Sequence, residues 1–316
     1  MFAYFGTKLT WRELITRTAK ETISDDGLGL AAQLAYYFFL ALFPALLFLV
    51  ALASFFTLQQ FADTLVAMLS RFAPTEISTL IGDQLKALSE NRNGGLLSVG
   101  LLGAIWSSSA ALVSIIDALN RAYDIEESRP WWRSRLTAVT LTIALAFFVL
   151  VSFTLVIAGP QIADFLGAHL GLASVFTWSW KVLQWPVAFF LVSTAFGLVY
   201  YYGPDADQEW VWITPGSLTA TVLWLIISLG FRYYAVNFGN YDKAYGTLGA
   251  IILTLLWFYL TGLVMIIGAE MNAEIEHASP WGKAPGEKVP GQRKRLGLAA
   301  ARHWLKQHPG MRDAAA

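Results

Sequence analysis

Residues 94–123 read GGLLSVGLLGAIWSSSAALVSIIDALNRAY, and this stretch decides the fold. Its middle is uncharged for long enough to cross a bilayer, which takes about 20 apolar residues at about 1.5 Å of rise each. Along it Gly100, Gly103, Ser107, Ala110, Ser114, Asp117 and Arg121 recur at alternating steps of three and four, so they share one helical face. Small residues let membrane helices approach closely, where association rests on packing and interhelical hydrogen bonds. The spacing predicts a central helix. Asp117 and Arg121 are four apart at the end of the stripe, where membrane helices tolerate ionised groups. Two readings stay open: a packing seam with an interfacial ion pair, or part of a solute path.

The 316-residue chain is 56% hydrophobic and only 14% charged, with a mean hydropathy of +0.52. A soluble domain carries about a quarter charged residues, so this balance indicates a membrane protein. The absence of cysteine excludes a disulfide framework and thiolate metal sites. Residues 1–26 mix Lys8, Arg12, Arg17 and Lys20 with acids and lack a long apolar core, so no cleavable signal peptide is expected.

Working outward, Thr10 and Glu13 match a helix capping box, followed by Trp11, Ile15, Ala19 and Ile23 in steps of four. Residues 1–26 are expected to form an amphipathic segment on the inner membrane surface. The membrane domain, residues 27–276, should hold spans at about 27–57, 94–119, 136–157, 176–202, 211–234 and 245–269. Pro44 and Pro186 lie inside spans as kink sites, and Gly159 and Pro160 are expected to end the third. Between residues 60 and 93, periodic apolar residues broken at Pro74 predict two short amphipathic helices. The fold class is an all-α integral membrane protein, a bundle of six transmembrane helices with amphipathic interfacial helices.

Orientation follows from the basic residues, of which 16 of 22 fall on one side if the N-terminus is inside. Arg121, Arg129, Arg133 and Arg135, beside Trp131 and Trp132, mark one such loop. Both termini are therefore expected in the cytoplasm. Residues 277–316 read as a flexible tail with Pro280, Pro285 and Pro290, leading to the basic segment RKRLGLAAARHWLK. Contact of that segment with anionic lipid is expected, and no nucleic-acid partner is.

Two further places carry polar chemistry. Arg232, Asn237, Tyr241 and Tyr245 precede Gly246 around the turn between the last two spans, either as a head-group or solute site or as an interfacial girdle. Glu270 stands where the sixth span meets the cytoplasm and would pair with a basic loop, Arg121 being the candidate, or bind a proton or cation. The polar path or packing seam thus comprises Gly100, Gly103, Ser107, Ser114, Asp117, Asn120, Arg121, Arg232, Asn237, Tyr241, Tyr245, Gly246 and Glu270. The four histidines do not stand at metal-ligand spacing beside acids, and HExxH, GxSxG and GxxxxGK[ST] are absent. No catalytic residue, metal or cofactor is expected, and the protein does not read as an enzyme.

The segments LAAQLAYYFFLALFPALLFLVAL, GAIWSSSAALVSIIDALNRAYDIEESRPWWRSRL, PGSLTATVLWLIISLGFRYY and YGTLGAIILTLLWFYLTGLVMIIGAEMNAE resemble the YihY/BrkB family of bacterial inner-membrane proteins. The resemblance runs from about residue 10 to residue 276, and Asp117, Asn120, Arg121, Tyr245, Gly246 and Glu270 together carry it. It implies six helices in the inner membrane. Members have borne the labels ribonuclease BN and virulence factor BrkB, and transport roles have been proposed for relatives. The leading expectation is transport or translocation of a small solute or lipid; the alternatives are a scaffold for envelope assembly and, third, a ribonuclease. Homo-oligomerisation stays open.

Overall fold

The structure is a computed structural model that describes residues 9–55, 94–170, 173–208, 214–237, 247–278, 294–295, 302–303 and 306. Among the described residues the helices are α1 (Trp11–Ser24), α2 (Gly27–Phe55), α3 (Gly94–Ala122), α4 (Trp131–Leu170), α5 (Ala173–Tyr202), α6 (Pro215–Asn237) and α7 (Thr247–His277). Two two-residue strands, β1 (Ala206–Asp207) and β2 (Lys294–Arg295), pair in parallel, Ala206 opposite Lys294 and Asp207 opposite Arg295. The described residues are thus helical with one minimal ladder, where only helices were expected. That ladder ties the basic tail to the stretch after α5.

Three helical stretches among the described residues are long and apolar enough to cross a membrane: Trp178–Tyr202, Pro215–Tyr234 and Ile251–His277. Gly27–Leu42 is a shorter apolar helix of the same character. Large apolar side chains such as Trp178, Trp185, Ile226, Leu229 and Ile252 point outward from these segments. Lipid tails would cover them without the cost that water imposes.

The third expected span is corrected. Instead of ending at Pro160, α4 runs on to Leu170, a helix of 40 residues. Proline removes one backbone donor and crowds the preceding turn, but helices at membrane depth re-satisfy the freed groups locally. Pro186 likewise sits inside α5. The amphipathic helices expected over 60–93 lie outside the described residues.

The chain divides into two compact units, one formed by Met1–Gly27, Ile116–Trp224 and Val264–Ala316, the other by Leu28–Ile115 and Leu225–Leu263. In the second unit Leu30, Ala31, Leu34 and Ala35 are buried along α2. A side chain on Gly262 would come within 3.1 Å of Leu34 Cβ and 3.3 Å of the Ala31 carbonyl, so the missing side chain is what allows α7 so close. Phe38 and Phe258 meet edge to face nearby, with centroids 5.8 Å apart.

The first unit carries the polar chemistry. Its α1 begins with the capping box, in which Thr10 N–H donates to Glu13 Oε2 at 2.9 Å and Glu13 N–H to Thr10 Oγ1 at 3.3 Å. Those bonds favour the ionised form of Glu13, first through the Thr10 backbone, and hold its carboxyl below the ordinary value. Leu14, Thr18 and Thr22 form the buried face of α1, Leu14 packing on Met271 and Ile275 of α7 and on Leu9. Trp11, Ile15 and Ile23 face outward instead. An apolar stripe left open beside an anchored face suits a helix lying at a membrane surface.

Helices α5, α6 and α7 also lock together in this unit. The Tyr200 hydroxyl donates to the Met265 carbonyl at 2.9 Å, and the Ser193 hydroxyl to Thr221 Oγ1 at 3.0 Å. Thr214 and Ser217 cap the start of α6 reciprocally, Ser217 N–H donating to Thr214 Oγ1 at 3.1 Å and Thr214 N–H to Ser217 Oγ at 2.9 Å, with Pro215 at the first helical position.

Candidate functional site

A polar knot forms where α3 ends. Ile125 N–H donates to the Asn120 carbonyl and Asp124 N–H to the Arg121 carbonyl, each at 2.8 Å, while Asp124 adopts φ of 50°. This is a Schellman ending with aspartate in the left-handed position, one that aspartate tolerates better than most residues. Asn120, buried at the last turn, donates to Glu127 Oε2 at 2.9 Å and accepts from Asp205 N–H at 2.8 Å. The Asp205 carboxylate, 1% exposed, accepts from the Ser128 amide at 3.0 Å and from the Ser128 hydroxyl. Arg129 clamps Glu127 in two bonds of 2.6 and 2.7 Å, approaches Asp205 at 3.6 Å and donates to the Gly203 carbonyl at 2.8 Å. Burial works against the Arg129 charge, but the bonds and charge of Glu127, with Asp205 behind it, outweigh that and raise its pKa above the ordinary value. The knot is fully partnered. It reads as structure.

The second place is a cavity of about 280 Å³ walled by Arg17, Glu21, Asp25, Ala122, Asp124, Glu270, Glu274 and His277. Arg17, Glu21 and Asp25 recur every four residues along α1 and its C-cap, Glu270 and Glu274 do so along α7, and Asp124 enters from the turn after α3. Like charges at that helical spacing are destabilising. Against these five carboxylates stands one guanidinium, Arg17, whose Nη1 lies 3.8 Å from Glu274 Oε2. Asp25 also lines an adjoining recess with Arg121, Asp124 and Glu126. Burial, then the charges of Asp124 and Glu21, push the Asp25 carboxyl above its ordinary value, with Arg121 opposing. Glu270 is 1% exposed, and its Oε1 has no hydrogen-bond partner among the described residues. An unpaired buried carboxylate oxygen is expensive.

The expected site residues separate. Asn120 joins the knot and Glu270 walls the cavity. Ser114 is buried, whereas Ser107, Asp117 and Arg121 are exposed, and the main buried face of α3 is the apolar one of Ala111, Leu112, Ile115, Ile116, Leu119 and Ala122. The expected Asp117–Arg121 pair is not among the ion pairs seen between described residues, which include Arg17–Glu274, Arg129–Glu127 and Arg129–Asp205. Exposed side chains gain little by pairing in a polar surround, which is the physical reason for that correction. Nor does Arg121 partner Glu270: it lines the adjoining recess, and Arg17 is the basic residue in the wall of the cavity. Arg232 is exposed near the end of α6, and Asn237 ends that helix. Gly100 and Gly103 lie within α3, while Tyr241, Tyr245 and Gly246 lie outside the described residues. Sequence reasoning missed Asp205, Glu127, Arg17, Glu21, Asp25, Asp124 and Glu274. The four-residue recurrences of Arg17, Glu21 and Asp25 and of Glu270 and Glu274 were the signals that could have found part of the wall.

Comparison with known proteins fits this architecture. A family model described as virulence factor BrkB matches residues 18–292. The chain belongs to the BrkB family. Among relatives, it is 36% identical over 248 residues to the ribonuclease-like protein YfkH of Bacillus subtilis, covering 78% of this chain and 90% of that one. It is 28% identical to the UPF0761 membrane protein PSHAa0171 of Pseudoalteromonas translucida, covering 83% and 84%. With the UPF0761 membrane protein RSc1559 of Ralstonia nicotianae the identity is also 28%, over 83% of this chain and 58% of the longer relative. No solved structure matches the chain. BrkB-family membership makes this a membrane protein, and the ribonuclease-like name of YfkH describes that relative.

Proposed function

We propose that this BrkB-family protein moves a small solute or lipid across the bacterial inner membrane, its six spans leaving both termini in the cytoplasm. The observation that carries the reading is Glu270, a carboxylate buried in the wall of a 280 Å³ polar cavity with one oxygen unpartnered. Ionisable residues inside membrane helices are expensive to keep there, and they mark solute and ion pathways. Flux into proteoliposomes is the test, with osmolytes, cations and labelled lipids as candidates. Protein-dependent flux of one of them that falls in Glu270→Gln supports transport; no flux above empty liposomes for any of them ends it.

A scaffold for envelope assembly is the second reading, and one observation favours it. α6 and α7 cross backbone to backbone: a side chain on Gly268 would strike the Tyr200 hydroxyl, the Gly216 carbonyl and Ala220, and Gly216 N–H donates to Asn272 Oδ1 at 2.9 Å. A seam so tight suits a bundle that stays shut. The nuclease reading rests on a relative's name alone. No group of three or more His, Asp or Glu able to hold a metal ion exists among the described residues.

A further inference from the structure

We propose that the acidic cavity between α1, the turn after α3 and the end of α7 binds a small cation that presents hydrogen-bond donors outward: an alkyl diamine or a fully hydrated divalent ion. The assignment rests on the transport reading for its purpose, but not for its chemistry.

Three observations set that chemistry. Among the described residues Glu21, Asp25, Asp124, Glu270 and Glu274 face one space with Arg17 as the guanidinium in its wall, and Arg121 stands at the adjoining recess. Self-repulsion of that kind is relieved by a bound positive charge. Glu270 lines the space and is buried, and its Oε1 has no hydrogen-bond partner among the described residues, so its carboxyl is open to a donor. His277 also lines the wall, in the last turn of α7.

Size and geometry exclude a bare metal as the fitting ligand. Among the described residues no three acids or histidines converge closely enough to hold a metal ion directly. The cavity, at about 280 Å³, is far larger than the roughly 30 Å³ share of one water. A ligand that fits must reach several separated carboxylates through N–H or water O–H donors. An alkyl diamine does so with an ammonium at each end, and magnesium does so with the waters it gives up reluctantly. Both leave the carboxylates in place and change only what faces them.

Isothermal titration of the purified full chain in detergent tests this, with 1,4-diaminobutane and magnesium chloride as probes and butylamine and sodium chloride at matched ionic strength as controls. At least one probe should bind saturably, well above both controls, and its identity separates the organic from the hydrated-metal source. Its Kd should rise by about tenfold or more in Glu270→Gln and in Glu21→Gln, and stay unchanged in Asp207→Asn, which lies outside the wall. A thermal melt separates binding from folding: Glu270→Gln should melt at or near the wild-type temperature without ligand, because the amide keeps the shape of the buried carboxyl and cannot ionise there. A drop in melting temperature with unchanged Kd would make Glu270 a structural residue. Absence of saturable binding by either probe, or equal Kd in wild type and both wall variants, overturns the site. Binding without flux sinks the transport reading and leaves the site standing; flux of other solutes without such binding does the reverse.

Discussion

Asp205 and Asn120 show how few side chains hold the loop after α3 in place. Asn120→Ala removes an acceptor from the Asp205 amide and a donor from Glu127, and should cost about 1–3 kcal/mol of stability. Asp205→Ala should cost more, about 2–4 kcal/mol, because it removes a buried carboxylate that accepts from both Ser128 donors and lies 3.6 Å from Arg129, which keeps its bonds to Glu127 and Gly203. Denaturation of the two variants in detergent checks the order, and an Asp205→Ala milder than Asn120→Ala would refute it. Asp25 makes the opposite case. Its carboxyl is raised above 3.8 by burial and by the Asp124 and Glu21 charges, so the folded state disfavours its ionisation. An acid with a raised folded pKa leaves stability untouched below its unfolded value and diminishes it progressively as pH rises through the folded one. Asp25→Asn should therefore raise the melting temperature at neutral pH in metal-free, amine-free buffer. The gain should vanish once pH falls below the ordinary value of 3.8. A gain that persists there would point to a cause other than charge.

Helix contacts carry the next test. Gly216 and Gly268 stand where α6 meets α7, and a side chain on Gly216 would collide with the Gly268 carbonyl and lie 2.6 Å from Asn272 Cγ. Gly268→Ala or Gly216→Ala should each lower stability by about 1–3 kcal/mol through overpacking. Gly230→Ala, in the same α6, meets nothing within 4 Å and should be neutral or mildly stabilising, since alanine favours helix. Equal melting temperatures for all three would remove the seam. At this level the sequence spoke clearly only where its signals were local. The Thr10–Glu13 spacing announced a helix start because a capping box closes within one turn, and the long apolar runs announced α2, α5, α6 and α7 because burial in lipid needs length alone. Pro160 misled because a proline's effect depends on whether neighbours can donate to the freed carbonyl, which no local pattern records. The α3 stripe misled in part for a related reason: periodicity finds a face but not what the face meets.

Taken as one molecule, the chain brings its acids together from three distant segments, which is why the cavity was not legible beforehand. Residues 17–25, Asp124 and 270–274 become neighbours only when the end of α7 docks on α1, through Leu14, Met271 and Ile275. Glu270 stood out in the sequence as a lone acid beside an apolar run, but its company did not. The same docking makes the sidedness of the membrane a sharp prediction. Within the first unit α1, the turn after α3 that leads to Ser128 and Arg129, and the end of α7 wall one cavity, so they are expected on one side of the bilayer. The arginines and tryptophans of residues 129–135 are the reason to expect that side in the cytoplasm, where positive charge accumulates. Reporter fusions at the N-terminus, after Ser128 and after Pro290 should read cytoplasmic, and fusions near Asp83 and His169 should read external. An external reading after Ser128 with a cytoplasmic N-terminus would contradict both the charge count and the shared unit. An external reading at all three would spare the unit and overturn the charge rule alone, moving the acidic cavity to the opposite face of the membrane.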